Sequence, residues 1–223
     1  MNYFENKSVV IIGATGVFGQ LMAQKLAQQG ADVRLIARSS QSLAADLCDL
    51  PFAVADITKR GEMEAAFNAL TDGQGVDGII NCAGVVAFGG FSELSDGVAR
   101  ELMAVNALGT INVIALATTS LNPEGFLASF TGVAADMTVM GMGAYCASKA
   151  AAKTAMGVAA RELRGKKIRV LDIRAPHTET GLVTRALEGT APKMPEGLQP
   201  QVVIDRVIEA IATGEKDLPP EAF

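Results

Sequence analysis

The 223-residue sequence is poor in several features that would each direct it toward a function. It has no surplus of basic residues. Against 24 aspartates and glutamates stand 19 lysines and arginines, and the net charge of -5 gives no field that would draw it to nucleic-acid phosphates or anionic lipid. Neither nucleic acid nor membrane is therefore expected as a partner. The three cysteines, Cys48, Cys82 and Cys146, are odd in number and lack paired spacing, so reduced thiols in a cytoplasmic protein fit better than a disulfide framework. No metal site is expected. Residues 1–7 lack the basic and then apolar run of a signal peptide, and no uninterrupted apolar stretch approaches membrane-spanning length, so a soluble, unprocessed chain is expected. Internal repeats of solenoid length and low-complexity tracts are absent as well. What is there is 49 % apolar and 19 % charged, the balance of a packed globular protein, and the length suits one α/β domain.

Along the chain, residues 7–12 form a short β-branched run that enters a glycine cluster, followed by a helical pattern over 17–29 with Gly30 as its stop. Residues 33–37 read as the next strand, which completes a βαβ unit. The alternation continues over 52–55, 62–70 and 76–80. Long helices are expected over 99–118 and 144–163, strands over 125–131 and 168–173, and an amphipathic helix over 201–213. The expected architecture is a single Rossmann-type doubly wound parallel sheet with helices on both faces, one domain over residues 1–223. Residues 177–200, rich in Gly, Pro, Thr and Glu, read as a mobile substrate lid. A last strand after residue 214 is expected to be short or missing.

Gly13, Ala14, Thr15, Gly16, Val17, Phe18 and Gly19 stand where a strand ends and a helix begins. Missing side chains there let backbone amides approach a pyrophosphate, and the helix amino terminus adds partial positive charge. Glycines also make ordinary turns; the βαβ context is what points to a dinucleotide. Sites that prefer NAD usually carry an acidic residue at the end of the second strand. Here Ala37 holds that place, followed by Arg38 and Ser39, with no carboxylate at the strand end. A guanidinium suits a 2′-phosphate, so NADP(H) is expected over NAD(H), the alternative being a solvated surface arginine. Asp56, followed by Ile57, either accepts from the adenine amino group or caps the helix after it.

Tyr145 and Lys149, four residues apart, share one helix face. A free phenol titrates near pH ~10, and a cation one turn away would stabilise the phenolate, each pKa unit being about 1.4 kcal/mol. The same spacing is common on structural helices, so the pair takes its meaning from its neighbours. These are the segment Asn81, Cys82, Ala83, Gly84 after a strand, and Asn106 inside a helix.

With these elements in order, the chain resembles the short-chain dehydrogenase/reductases over nearly its whole length. The resemblance implies that Tyr145 donates a proton to a substrate carbonyl. Lys149 would bind the nicotinamide ribose and lower the tyrosine pKa, and Asn106 would hold a proton-relay water. Asn81, Ala83 and Gly84 would line the cofactor, with Pro176, Thr178 and Thr180 near its nicotinamide carboxamide. The implied reaction is NADP(H)-dependent hydride transfer between a ketone and a secondary alcohol. The substrate is expected to be small or medium-sized and fairly apolar, with Val85, Val86, Ala87, Phe88, Met137, Met140 and Met142 as pocket wall or as ordinary core. A homodimer or homotetramer through the two long helices is implied as well.

Three departures stand out. The family's serine, thirteen residues before the tyrosine, is Gly132 here. The adjacent Thr131 is a candidate substitute, although strand alternation turns neighbouring side chains to opposite faces. Losing one oxyanion donor costs about a hundredfold or more in rate. The glycine turn has the spacing of extended or atypical members. His177 stands where the family has glycine after Pro176, and either assists proton transfer or is simply exposed or structurally bonded. Two other readings of function remain. One is an NADP(H)-binding regulatory or scaffold protein with weak or lost catalysis, which Gly132 would permit. The other is an epimerase or dehydratase, which needs more substrate-domain length than this chain offers.

Overall fold

The computed structural model describes residues 2–223. Seven strands, β1 (Ser8–Ile12), β2 (Asp32–Ala37), β3 (Phe52–Val54), β4 (Val76–Asn81), β5 (Leu121–Phe130), β6 (Arg169–Ile173) and β7 (Asp217–Leu218), form one parallel sheet in the order β3-β2-β1-β4-β5-β6-β7. Alternate residues of β1 feed opposite cores. Val9 and Ile11 pack toward α1 (Val17–Gln28) and α6 (Pro200–Thr213), while Val10 and Ile12 pack toward α2 (Arg60–Thr71), α4 (Gly109–Ser120) and α5 (Gly143–Glu162). Burial on both faces is why these strands read as continuous apolar runs. The strand order reverses between β1 and β4, and in such sheets ligands bind in the crevice at the carboxyl ends near that reversal.

Pro200 opens α6, where its missing amide costs nothing, and Gly214 closes it in the left-handed conformation. The last strand is present but only two residues long, paired with Asp172 and Ile173 of β6. Helix α3 (Asp96–Leu102), a π-helical turn at Met103–Leu108 and α4 run on as one helix, Asp96–Ser120. This 25-residue helix is apolar and long enough to cross a membrane by length and composition, a correction to the sequence expectation. Half of its most apolar window is buried in the domain, where Val105, Val113, Leu116 and Ala117 join the core, so packing accounts for much of its apolar character.

Candidate active site

The carboxyl ends of β1, β4, β5 and β6 open into a cavity of about 860 Å³. Its floor begins at the turn after β1. Gly13 has φ +79°, and a Cβ there would lie 2.6 Å from the Ala83 amide nitrogen, so glycine alone lets the ends of β1 and β4 close on each other. Gly16, Val17 and Phe18 face the cavity, and the Phe18 ring stacks on Phe130 with centroids 4.7 Å apart. Thr15, whose carbonyl accepts from Gln20 Nε2 at 3.1 Å, and Gly19, packed on the Gly13 carbonyl, shape the turn and stay off the cavity wall.

The next wall comes from the segment after β4 and from α5, braced from behind by β4, the π turn and α4. Asn81 is buried and joins three elements, donating to Thr110 Oγ1 (3.3 Å) and Ser129 Oγ (3.2 Å) and accepting from the Ala83 amide (3.1 Å). Asn106 sits in the π turn, a wide turn often found at functional positions. Its side chain accepts from the Val85 amide (3.0 Å) and donates to the Val85 carbonyl and Ser148 Oγ, both at 2.9 Å. The amide is thereby occupied as a strut. Its backbone carbonyl accepts from Thr110 Oγ1 (2.7 Å). Ser148 in turn donates to the Tyr145 carbonyl (2.7 Å).

Tyr145 and Lys149 both face the cavity. Lys149 is buried and its Nζ donates to the Phe130 carbonyl at 3.0 Å. A Cβ on Gly84 would stand 3.2 Å from that Nζ and 3.4 Å from Asn106 Oδ1, so the side-chain-free Gly84 leaves room for both. Burial pulls the Lys149 pKa down to about 8, against the Asp172 carboxylate, which raises it. Burial pushes the Tyr145 phenol up to about 12, and the Cys146 thiol adds to that rise. The lowered tyrosine pKa expected from the sequence is thus not realised in the protein alone. The lysine donates to a backbone carbonyl, and desolvation dominates at the phenol.

Thr131 does not replace the missing serine hydroxyl. It is fully buried, its Oγ1 donates to Asp172 Oδ1 at 2.5 Å, and it is not on the cavity wall. Gly132, which is on that wall, has φ +78° and ψ 159°, a backbone conformation almost confined to glycine. Beneath this turn Arg174 is buried among carboxylates, with Asp172 Oδ2 and Asp217 Oδ1 at 2.6 Å from its Nη1. Asp136 Oδ2 lies 2.7 Å from its Nε, an ion pair by distance whose N–H points off the hydrogen-bond line. Arg174 therefore ties the Gly132 turn to β6 and β7.

Arg38, Ser39, Asp56 and Ile57 lie at the ends of β2 and β3, outside the enclosed cavity. Arg38 is exposed and has carboxylates near it, with Glu101 at 4.0 Å and Asp56 close enough to feel its charge. Burial works to raise the Asp56 carboxyl, but the Thr58 amide and hydroxyl (2.9 and 2.8 Å), with Arg38 and Lys59, outweigh it and hold the group low. Asp56 thus closes its own turn, while α2 begins four residues later. Ile57 is buried against Gly109.

Residues 177–198 close the remaining side. The His177 carbonyl accepts from Leu198 and the Leu198 carbonyl from Glu179, both at 2.9 Å, pinching the base of the segment. Leu187 and Phe88 amides donate across to the Val86 and Glu188 carbonyls at 2.8 and 2.9 Å. Pro176, Thr178 and Thr180 line the cavity, although the Thr178 hydroxyl is spent on the Pro176 carbonyl at 2.9 Å. His177 also lines it, with Nε2 3.4 Å from Glu179 Oε1. Of the expected apolar wall, Val86, Phe88, Met137 and Met142 are on it, Val85 and Ala87 pack elsewhere, and Met140 is 96 % exposed. Sequence reasoning missed Met194, Arg185, Lys193 and Phe223. Nothing in local pattern marks these, because a lid fold and a seventh strand bring them there.

The family model described as short chain dehydrogenase matches residues 7–190. An uncharacterised oxidoreductase of Methylorubrum extorquens is 28 % identical over 92 % of this chain and 86 % of its own length. The 3-hydroxyacyl-CoA dehydrogenase type-2 of Drosophila melanogaster is 31 % identical over 74 % of this chain and 72 % of its own. A crystal structure of a short chain dehydrogenase from Burkholderia cenocepacia, in complex with NADP, superposes with a TM-score of 0.84 at 24 % identity. It matches over 99 % of this chain and 90 % of that one.

Proposed function

The chain belongs to the short-chain dehydrogenase family, and on that premise we propose that it interconverts a ketone and a secondary alcohol with NADP(H) in preference to NAD(H). That it is an NAD(P)-dependent oxidoreductase acting on CH–OH groups follows from the family itself. The observation that carries the finer reading is the shared cavity, which gathers Tyr145 and Lys149 opposite the glycine turn before α1. The residues present fit the cofactor, since Gly16 at the amino end of α1 and Gly84 beside Lys149 line the cavity and carry no side chain to fill it. Gly16, Val17 and Phe18 would meet its pyrophosphate, on a turn shaped by Gly13, Thr15 and Gly19, and Ala83, Gly84, Pro176, Thr178 and Thr180 would meet its nicotinamide end, with Asn81 bracing the wall behind. Arg38 and Ser39 would meet the 2′-phosphate, with Asp56 and Ile57 near the adenine. When bound, the nicotinamide supplies or accepts the hydride.

Tyr145 holds the proton that goes to the substrate oxygen, and Lys149 places a positive charge one helical turn away. Asn106 fixes the helix pair through Ser148, and holding a relay water beside it is the role that the family pattern gives this residue. With Gly132 giving no hydroxyl, Tyr145 carries the substrate oxygen with one donor fewer than the family pattern. Pairing of copies through the two long helices belongs to the same reading, supported by exposed Met103, Leu108, Ile111 and Val158.

Titration with NADPH and NADH, followed by a panel of ketones, tests the reading. Tight NADPH binding with turnover is expected, and Arg38→Ala should weaken NADPH by about tenfold while moving NADH little. Equal affinity for both cofactors in wild type would overturn the preference. A second reading, an NADP(H)-binding regulator with weak catalysis, is favoured by Gly132 and the buried Thr131 hydroxyl. It predicts binding without turnover in the same experiment.

A further inference from the structure

The lid side of the cavity carries two cations that form no ion pair among the described residues. Arg185 and Lys193 both line it and both are exposed. The Arg185 guanidinium donates only to the Gly181 and Thr180 carbonyls, each at 3.2 Å, and Lys193 has no ion pair among the described residues. The acids of the same segment are largely engaged elsewhere. Glu179 accepts from the Gly197 amide at 2.7 Å and faces His177, while Glu188 accepts from the Ser95 amide and hydroxyl at 3.0 and 2.9 Å. Glu196 is the one acidic side chain on the wall among the described residues. A protein of net charge -5 thus presents two cations to one acid on the lid side of its cavity. The surrounding wall is apolar, with Met137, Val139, Met142, Leu182, Val183 and Met194. The amides before α1 already give a pyrophosphate its place on the same wall, which leaves the lid cations for something else.

We propose that the substrate is a ketone or secondary alcohol carrying an anionic group, a carboxylate, sulfonate or phosphate, on an apolar spacer, and that Arg185 and Lys193 receive that anion. The proposal rests on the oxidoreductase reading above and narrows its substrate class. An apolar neutral substrate gains nothing from either cation, whereas an anion meets a guanidinium fork and an ammonium and keeps its spacer against the methionines.

The test compares 4-oxononanoate with its methyl ester, which differ in charge and keep the same ketone, using the full chain with NADPH. The expected result is a kcat/KM for the acid about tenfold or more above that for the ester. In the Arg185→Ala/Lys193→Ala variant that preference is lost through a raised KM for the acid, with NADPH affinity retained. The proposal is overturned if the ester is used as well as the acid, or if the double variant keeps the preference. It is equally overturned if NADPH affinity falls along with both substrates, since the cations would then serve the cofactor. Absence of turnover with either compound contradicts the oxidoreductase reading alone. Calorimetry of acid and ester against the NADPH complex then still decides. Acid-selective binding that disappears in the double variant upholds the anion site, and equal or absent binding refutes it.

Discussion

On the α5 side of the cavity, Asn106, Ser148 and Lys149 are buried and each is hydrogen-bonded, whereas on the lid side Arg185 and Lys193 are exposed and pair with no carboxylate among the described residues. The first side is held by two long helices and the sheet, the second by a loop pinched at its base. The difference separates two tasks. Proton transfer needs donors fixed to within a fraction of an ångström, which packed helices provide, while recognition of a particular substrate can sit on a segment free to vary.

Arg174 anchors the Gly132 turn to β6 and β7. Arg174→Met leaves Asp172 buried without its cation and should cost about 3–5 kcal/mol in chemical denaturation. A loss below about 1 kcal/mol would show that the carboxylates do not depend on it. On the helical side, Lys149 is held at a pKa of about 8 by burial, below its ordinary 10.5. Between those values the unfolded chain binds more protons than the folded one, so stability rises with pH through that window, and below it the buried charge is a cost. Lys149→Met should therefore stabilise the protein at pH 7, by at most about 3 kcal/mol, and abolish the rise between pH ~8 and ~10. Denaturation midpoints at the two pH values check this, and a wild type no steeper than the variant contradicts it. The smallest effect is at Gly132. A side chain there meets nothing within 4 Å, yet the φ of +78° strains any residue with a Cβ, so Gly132→Ser should cost about 1–3 kcal/mol. An unchanged melting temperature would show that the turn relaxes freely and that a serine hydroxyl is accessible by one substitution.

Much of this was legible in the sequence because it is local. The β-branched runs of β1, β2 and β4, the glycines between β1 and α1, and the four-residue step from Tyr145 to Lys149 carry their meaning within one or two turns of chain. The direction of Thr131 was not legible, since it is set by Asp172, 41 residues on, and by the β5–β6 register. The Arg174 cluster draws aspartates from the turn after β5, from β6 and from β7, three segments that no spacing rule connects. The π turn at Asn106 hides in an apolar helical pattern that looks the same with or without one extra residue per turn. Met140 shares composition with Met137 and Met142 but points to solvent, a matter of loop conformation alone.

The most direct test of the account is Tyr145→Phe, measured as NADPH-dependent ketone reduction beside NADPH binding on the same preparation. Turnover should fall by about 10²–10⁴ with cofactor affinity nearly unchanged. Turnover within about threefold of wild type would mean that the proton comes from another group, and the assignment of this cavity's chemistry to Tyr145 would be wrong.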